Sequence, residues 1–249
     1  MKFNIISSGS KGNATVLISK ETVLLIDMGI SETRLKEGLA VFHKDISDID
    51  VALFTHDHAD HIAGIKFLSP KLMYSLKGTL PKLCNVVEPF KPFKVKDVTI
   101  TALPTSHDAT NPCGYLIDDG EEKMAYFTDT GVFPEDVFPY IQDPTYLIIE
   151  SNHDIKMELN TNRSYELKNR VLGEFGHLCN EDSAFATCRI IGPHTKEIYL
   201  AHLSEEANTP EVALEAYKKI FAYAGQDFDS YKISCAKQWE MTLGGHYED

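Results

Sequence analysis

A short histidine-rich segment limits this chain more than any other feature does. The sequence T-H-D-H-A-D-H covers residues 55–61 and holds three of the chain's ten histidines together with two aspartates. It directly follows residues 51–54, Val-Ala-Leu-Phe, a short apolar run typical of a buried β-strand. A strand that ends on such residues holds them on a loop at the edge of a rigid sheet. Any fold of this chain must therefore present these side chains together.

Imidazole and carboxylate groups at this spacing predict a divalent-metal site, because zinc, manganese and iron accept both as ligands in proteins. His56 and His58 can reach one ion, while Asp60 and His61 can reach a second ion nearby. The ordinary alternative is a polar loop of solvated histidines, which a lone H-x-H pair would favour. The density of donors directly after an apolar strand favours the metal site.

The rest of the chain alternates strand-like and helix-like segments. Apolar or β-branched runs predict strands over residues 3–7, 14–18, 22–26, 51–55, 72–75, 98–103, 114–117, 123–128, 146–149 and 197–201. Helices are predicted after Ser31, over residues 181–191 with Asn180 as the N-cap, and from Thr209-Pro210 to Gly225. Strands dominate the first half and helices interleave later. This pattern indicates an α/β fold with two mixed β-sheets flanked by helices, an αββα sandwich.

Composition narrows where the protein acts and on what. The net charge of −13 argues against bulk attraction to nucleic acid or an anionic membrane. It still permits a nuclease, because bound divalent cations add positive charge where a phosphate must lie. The sequence has neither a signal peptide nor an apolar stretch of roughly 20 residues, so a cytoplasmic location is expected. The five cysteines include no C-x-x-C pair and are expected to be free thiols. No linker or repeat divides residues 1–249, which predicts a single domain.

The pattern H-x-H-x-D-H after an apolar strand resembles the signature of the metallo-β-lactamase fold. The resemblance extends to Asp27-Met28-Gly29, whose aspartate supports the ligand loop in this family. Further histidines and an aspartate follow predicted strands in the expected order, at His107, Asp129 and His202. The resemblance implies two divalent ions, zinc or manganese, with iron as an alternative. One ion would be held by His56, His58 and His107 and the other by Asp60, His61 and His202, with Asp129 bridging them.

Four further segments resemble the YycJ/WalJ-type subgroup of metallo-hydrolases. They are I-S-S-G-S-K-G-N-A-T at residues 6–15, E-S-N-H-D at 150–154, F-G-H-L-C-N at 175–180 and A-H-L-S at 201–204. Cys179 departs from the subgroup, which often has serine there. The resemblance implies a metal-dependent phosphodiester hydrolase, most often a DNA 5′-exonuclease. The alternative is a small-molecule cyclic phosphodiesterase, or a metallo-hydrolase of an ester, thioester or lactam. The sequence gives no sign of an obligatory protein partner.

The implied mechanism is two-metal phosphodiester hydrolysis. The ions lower the pKa of a shared water from about 16 towards about 7, and the resulting hydroxide attacks phosphorus in line. Asp60 is expected to take part in catalysis as a member of the ligand set. His153 follows a predicted strand and His177 precedes a predicted helix, so either is expected to hold the scissile phosphate or to protonate the leaving oxygen. The alternative for each is a histidine satisfied by local hydrogen bonds.

Two segments are expected to contact the substrate. The polar turn at residues 8–13 offers hydroxyl and backbone N–H groups to an anion, or else forms an ordinary hairpin turn. Residues 156–170 form a net-basic stretch in an acidic protein, which suits a nucleic-acid backbone, or else a solvated face. The predicted substrate-binding residues are Ser8, Ser10, Asn13, Asn152, Arg163 and Lys168. Trp239 could stack on a base, but a buried position is the favoured interpretation.

Overall fold

The structure is a computed structural model that describes residues 1–80 and 84–246. Within this part of the chain the backbone forms two seven-stranded β-sheets and six α-helices. The sheets are mixed and face each other, and helices cover their outer faces. The predicted α/β sandwich is therefore confirmed.

The first sheet contains most of the N-terminal strands in sequence order. Its strands, numbered along the chain, are β1 (Lys2–Ser7), β2 (Ala14–Ile18), β3 (Val23–Ile26), β4 (Val51–Leu53), β5 (Met73–Ser75), β6 (Asn85–Val86) and β14 (Thr242–Gly245). The spatial order is β14-β1-β2-β3-β4-β5-β6. Pairing is antiparallel from β14 to β3 and parallel from β3 to β6.

The second sheet has the same division into antiparallel and parallel parts. Its strands are β7 (Phe93–Val95), β8 (Val98–Pro104), β9 (Cys113–Asp118), β10 (Lys123–Phe127), β11 (Tyr146–Glu150), β12 (Glu197–Ala201) and β13 (Lys232–Cys235). The spatial order is β13-β12-β11-β10-β9-β8-β7. Pairing is antiparallel from β7 to β10 and parallel from β10 to β13. In each sheet the parallel strands are neighbours and occupy one side of the sheet.

The helices begin at recognisable caps. They are α1 (Glu32–Ala40), α2 (Ala59–Ile62), α3 (Ile155–Asn160), α4 (Tyr165–Leu172), α5 (Asn180–Ile190) and α6 (Pro210–Tyr223). Ser31 caps α1 and Thr209 caps α6, as predicted. The cap of α5 is Cys179 and not the predicted Asn180, which is the first helical residue. None of the helices in the described residues has the length and apolar character needed to cross a membrane.

The alternation of side chains along each strand produces a layered core. Leu24 of β3 faces the second sheet, while its neighbour Leu25 packs on the outer face beneath α1. Successive side chains of a strand point to opposite faces, and both faces are covered here, so the inner strands read as continuous apolar runs. At the centre, the ring of Phe3 meets Tyr146 and Tyr199 edge-on, with centroids 5.3 Å apart in both pairs.

The sequence pattern did not predict the outermost strands β6, β7, β13 and β14, nor the short helices α2, α3 and α4. These strands lie at or beside the sheet edges. Both residues of β6 are exposed, and β7 is only half buried. Because edge strands need fewer apolar residues, the runs that identify the inner strands are missing from them.

Glu122 lies just before β10 with 8% of its surface exposed. Burial alone would raise the pKa of its carboxyl. Hydrogen bonds from the amino group of Met1, Lys196 and Tyr146 outweigh burial and lower the pKa from 4.5 to about 2. A carboxyl with a lowered folded-state pKa stabilises the fold above its unfolded-state pKa. That contribution is lost as the pH falls through the folded-state pKa.

Glu122→Gln is expected to lower the free energy of unfolding at pH 7 by about 1–3 kcal/mol. The difference from wild type should shrink between pH 4.5 and about 2, where the native carboxyl takes up its proton. Urea unfolding at several pH values measures this. Glu121→Gln is the matched control, because its carboxylate is 69% exposed in a surface ion pair with Lys20. A deficit that does not depend on pH would contradict the assigned cause.

Candidate metal centre

The sequence motifs converge because they follow the ends of neighbouring strands. β3 and β4 run parallel, as do β10, β11 and β12. The residues that follow these strands therefore lie together at the carboxyl-terminal ends of the strands in each sheet. These ends of the two sheets face each other. The Tyr115 hydroxyl on β9 donates across the sandwich to the Phe54 carbonyl at 2.7 Å. The segments after β4, β8, β10 and β12 meet here, and they carry His56, His107, Asp129 and His202.

The first group of donors contains His56, His58 and His107. Each can offer one ring nitrogen, and these nitrogens lie within 4.8 Å of one another. His107 donates its Nδ1–H to the carbonyl of Gly176 at 2.9 Å, and its Nε2 lies 3.3 Å from Nδ1 of His58. Nδ1 of His56 lies 3.0 Å from the Thr55 hydroxyl. Two of the three rings are thus oriented through one nitrogen and present the other, as metal-ligating histidines usually do.

The second group contains Asp60, His61 and His202, again with donor atoms within 4.8 Å of one another. His61 is fully buried and donates its Nδ1–H to Asp27 at 2.8 Å. Oδ2 of Asp60 lies 3.6 Å from Nε2 of His61 and 3.7 Å from Nε2 of His202. These three atoms surround a space in which one cation could contact all of them.

Asp129 lies between the two groups. Its Oδ2 is 3.3 Å from Nε2 of His61, and its Oδ1 is 3.9 Å from Nε2 of His107. Burial alone would raise the pKa of Asp129, but His202 and His61 outweigh burial and hold the pKa well below its usual range. The side chain is therefore an ionised carboxylate within reach of donors from both groups.

Unpaired buried atoms test whether these residues fit metal ions. Among the described residues, three buried atoms of the cluster that could bind a metal have no hydrogen-bond partner: Nε2 of His56, Oδ2 of Asp129 and Nε2 of His202. Buried polar atoms in native proteins are rarely left unpaired. All three are nitrogen or oxygen donors of the kind that divalent transition metals accept. The residues therefore fit divalent metal ions.

Asp27 supports the ligand segment and stands outside the donor groups. Its fully buried carboxylate accepts the backbone N–H of Thr55 at 2.9 Å, the Thr55 hydroxyl, and Nδ1–H of His61. Burial would lower the pKa of His61, but Asp27 and Asp129 outweigh it and raise the pKa to about 10. This geometry agrees with the supporting role expected from the D-x-G element.

Three residues of the site have the left-handed backbone conformation that favours glycine. The φ angles are 58° at Asp27, 57° at Asp129 and 55° at His202. Each residue follows the end of a strand by one or two positions. Aspartate and histidine tolerate this conformation better than most residues, but it still costs about 1 kcal/mol or more. The surrounding structure therefore fixes these three side chains against a local backbone preference.

Glu150 was not assigned a role from the sequence, although it lies at the centre of the hydrogen bonding here. It ends β11, is fully buried, and accepts Nδ1–H of His177 at 2.7 Å and of His202 at 3.1 Å. Burial would raise its pKa, but the two histidines outweigh burial and lower the pKa to about 2. Asp129, Glu150, His177 and His202 also have donor atoms within 4.8 Å. A carboxylate directly after the apolar run at residues 146–149 is the signal that could have identified it.

A cavity of about 250 Å³ opens onto this cluster. Its lining includes the predicted residues Ser10, Asn152, Arg163, His177 and His202. It also includes Arg170, which belongs to the predicted basic stretch but was not among the predicted contacts. Arg163 is paired with the buried Glu158 at 2.8 Å, and Arg170 with Asp108 at 3.0 Å. Two guanidinium groups therefore border the entrance to the candidate metal centre.

Two further predicted residues, the catalytic candidate His153 and the substrate-binding candidate Lys168, are not among the described residues that line this cavity. His153 is 1% exposed in a β-bridge with Cys179, and burial lowers its pKa to about 4. It is an enclosed, neutral histidine, which was the alternative interpretation. Lys168 donates instead to the carbonyl of Leu159 at 2.7 Å, which joins α4 to α3.

The turn at residues 8–13 contacts the donor groups and supports them. The hydroxyl of Ser8 accepts the backbone N–H of His202 at 2.8 Å, and Nδ2 of Asn13 lies 2.9 Å from Nε2 of His61. Both Ser8 and Asn13 are buried, and these contacts support the donor groups. Ser10 alone of the three predicted contacts in this turn lines the cavity over the candidate metal centre.

Comparison with known families agrees with this geometry. Residues 22–202 match the family model described as the Beta-lactamase superfamily domain. The chain belongs to this superfamily, and the resemblance to metallo-β-lactamase-fold hydrolases is confirmed.

Two bacterial proteins are similar to this chain over most of their length. Exodeoxyribonuclease WalJ of Streptococcus pneumoniae serotype 2 (strain D39 / NCTC 7466) is 32% identical, with 94% of each chain covered. Exodeoxyribonuclease YycJ of Bacillus anthracis is also 32% identical, with 90% of each chain covered. These relatives confirm the YycJ/WalJ-type subgroup.

Solved structures share the fold at lower identity. The metallo-β-lactamase fold protein YhfI from Bacillus subtilis has a TM-score of 0.72 at 18% identity, covering 98% of this chain and 99% of that one. The short form of human tRNase Z has a TM-score of 0.62 at 15% identity, covering 97% and 98%.

Asp129→Ala is expected to weaken metal binding at both donor groups. In wild-type protein freed of metal, zinc or manganese at 100 times its Kd should stabilise the fold by about 2.7 kcal/mol per site. For a chain of this size that raises the melting temperature by about 5–10 °C. The variant should fold but lose most of this shift and retain less metal after desalting, as measured by mass spectrometry.

Glu135→Gln is the matched control for Asp129→Ala. It removes a carboxylate that is 76% exposed and paired with Arg189. It should keep the full thermal shift and the full metal content. An Asp129→Ala protein that folds and keeps wild-type metal content would rule out the bridging position.

Proposed function

We propose that this protein is a metal-dependent exodeoxyribonuclease that hydrolyses DNA phosphodiester bonds from the 5′ end. The observation that carries the proposal is the pair of donor groups on either side of Asp129, which opens into a cavity bordered by two arginines. Two relatives at 32% identity, both named exodeoxyribonucleases, support DNA as the substrate. The 5′ polarity rests on the subgroup resemblance alone.

The metal ions would be held by the two donor groups. We assign His56, His58 and His107 to one ion, Asp60, His61 and His202 to the other, and Asp129 to both. The mixture of imidazole and carboxylate donors suits zinc or manganese, with iron as the alternative. When bound, such ions lower the pKa of water towards about 7 and offset negative charge on the phosphoryl oxygens.

Asp60 is the more accessible carboxylate of the cluster. Its side chain is 25% exposed, whereas that of Asp129 is 2% exposed. Burial would raise the pKa of Asp60, but His202 and His61 outweigh burial and lower it, so the group is ionised at neutral pH. We propose that Asp60 orients the attacking water by accepting a hydrogen bond from it, in addition to its role as a ligand.

His177 is the residue that we propose as proton donor to the leaving oxygen. Its Nδ1–H is held by Glu150 at 2.7 Å, so the ring presents Nε2 to the cavity. Glu150 remains ionised in the interior and can stabilise the positive charge of the protonated ring. A proton on Nε2 can then pass to the oxygen that leaves phosphorus.

Arg163 and Arg170 are the proposed contacts to the DNA backbone beside the cleaved bond. Both guanidinium groups line the cavity. Each is paired with a carboxylate, Arg163 with Glu158 and Arg170 with Asp108, so the proposed contact relies on the planar fork of guanidinium N–H groups, which suits phosphate, and not on unpaired charge. We further propose that residues 1–249 act as one domain, which the core shared by the two sheets supports, and that the protein acts in the cytoplasm.

Purified protein supplied with manganese or zinc should degrade DNA stepwise from the 5′ end. A 5′ label should appear at once as a mononucleotide, while a 3′-labelled strand should shorten gradually. His58→Ala, which removes a proposed ligand, should abolish both reactions. Release of mononucleotides from the 3′ end would refute the polarity only. Hydrolysis of a small cyclic phosphodiester without cleavage of any DNA or RNA strand would refute the nuclease.

His177→Ala should lower kcat roughly 10²- to 10⁴-fold, because a positioned acid contributes about that much to catalysis. Metal content should change little, since His177 is held by Glu150 and stands outside the two proposed sets of ligands. Single-turnover rates and mass spectrometry of bound metal measure the two effects. His194→Ala is the control, because this histidine is 81% exposed and pairs with Asp143 away from the cavity. Wild-type kcat in His177→Ala would remove the residue from the mechanism.

A further inference from the structure

A second cavity, of about 270 Å³, adjoins the candidate metal centre. Leu203 and Ser204 line both this cavity and the one over the donor groups, so the two are neighbours. We call it the Trp239 groove, and its walls include Leu203, Pro210, Ala236 and Trp239. The groove lies beside the cavity in which the proposed reaction takes place, and its other walls have no role in that reaction.

Trp239 presents an aromatic surface to this groove. Its side chain is 64% exposed, so the expectation of a buried tryptophan is wrong. The indole N–H donates to Glu205 at 2.8 Å, and the guanidinium of Arg34 lies over the ring, 5.7 Å from its centroid. Arg34 is not among the described residues that line the groove. The part of the indole that faces the groove is therefore not the part that Arg34 covers. The ring is therefore held in place while part of its surface stays open.

The position of the indole is coupled to the metal centre through short hydrogen bonds. Arg34 donates to the carbonyl of Ile6 at 3.0 Å and to the carbonyl of Gln238 at 3.2 Å. The side-chain amide of Gln238 donates to the hydroxyl of Ser7 at 2.8 Å. Ser8, the next residue, accepts the backbone N–H of His202. Trp239 is thus presented at a fixed distance from a proposed metal ligand.

The chemistry of the groove suits a nucleobase better than a phosphate. Its walls at Leu203, Pro210 and Ala236 are apolar, and the carboxylates of Glu205 and Glu240 lie in its lining, where they would repel a phosphate. Lys237 is the single lysine in the described lining, and it is paired with Glu240. The arginines lie in the neighbouring cavity instead. A strand crossing both cavities would keep its phosphate at the donor groups and its base against the indole.

We propose that the Trp239 groove binds one unpaired base of the DNA strand, next to the phosphate held at the metal centre. This inference rests on the proposed exonuclease function. A base must leave the duplex stack before it can enter such a groove, so single-stranded or frayed ends are the preferred substrates. Sequence preference should be weak, because every base has a π face that can stack on an aromatic ring.

Kinetics on single-stranded DNA tests the groove in the full-length, manganese-loaded protein. Trp239→Ala should raise KM roughly 5- to 150-fold, the range expected from losing one base–aromatic stack, with a smaller change in kcat. Trp239→Phe should keep most of the wild-type affinity because it retains a flat ring. Tyr223→Ala is the matched control, since this tyrosine is 81% exposed and lies roughly 20 Å along α6 from Pro210.

Fluorescence gives an independent readout, because Trp239 is the only tryptophan in the chain. A single-stranded oligonucleotide with nuclease-resistant phosphorothioate linkages should quench the emission on binding. Removing one base to leave an abasic sugar should abolish the quenching at one position near the bound end. The same change further along the strand should leave the quenching intact.

The outcomes separate this proposal from the function on which it rests. DNA degradation with unchanged KM in Trp239→Ala and no quenching would overturn the groove and leave the exonuclease standing. An indole that serves a protein partner instead would give that same result. If the wild-type protein hydrolyses bis(p-nitrophenyl) phosphate but degrades no strand, the exonuclease function fails and the groove proposal fails with it.

Discussion

The hydrogen bonding of the Asp27 carboxylate is the interaction on which the rest of the site depends. An ionised carboxylate in an apolar interior is strongly unfavourable unless its oxygens are paired. Asp27 is paired with Thr55 and His61, which stand at the two ends of the histidine-rich segment. Fixing both ends leaves the histidines between them little freedom to move. The backbones also touch, since a Cβ on Gly29 would lie 1.5 Å from the carbonyl oxygen of Asp60.

The inner part of the fold and the histidine-rich segment could be predicted from the sequence for one physical reason. The inner strands are covered on both faces, so each is a continuous apolar run, and a polar donor after such a run is conspicuous. His56 stands out in this way, whereas His107 and His202 were expected through the resemblance to the metallo-β-lactamase family. Edge strands carry no comparable pattern, because one side of each is open. The short helices α2, α3 and α4 are too brief to show a helical period.

Residues whose role depends on distant parts of the chain could not be predicted. The position of Glu150 after an apolar run marks it as a candidate, but its partners His177 and His202 reach it from other elements, and no local pattern records that meeting. His153 stands in the same motif as Glu150, yet its bridge to Cys179 encloses it. The exposure of Trp239 likewise depends on tertiary contacts that the sequence around it does not show.

The left-handed conformations of Asp27, Asp129 and His202 have a consequence for how the protein can change. Glycine at any of these positions would relieve backbone strain, but it would delete the side chain that supports or forms the site, and at Asp27 it would also leave Thr55 and His61 without their buried acceptor. Local backbone preference and function therefore act in opposite directions at these three positions. A search for stable variants that was guided by backbone angles alone would choose glycine there, and each such glycine would remove part of the chemistry.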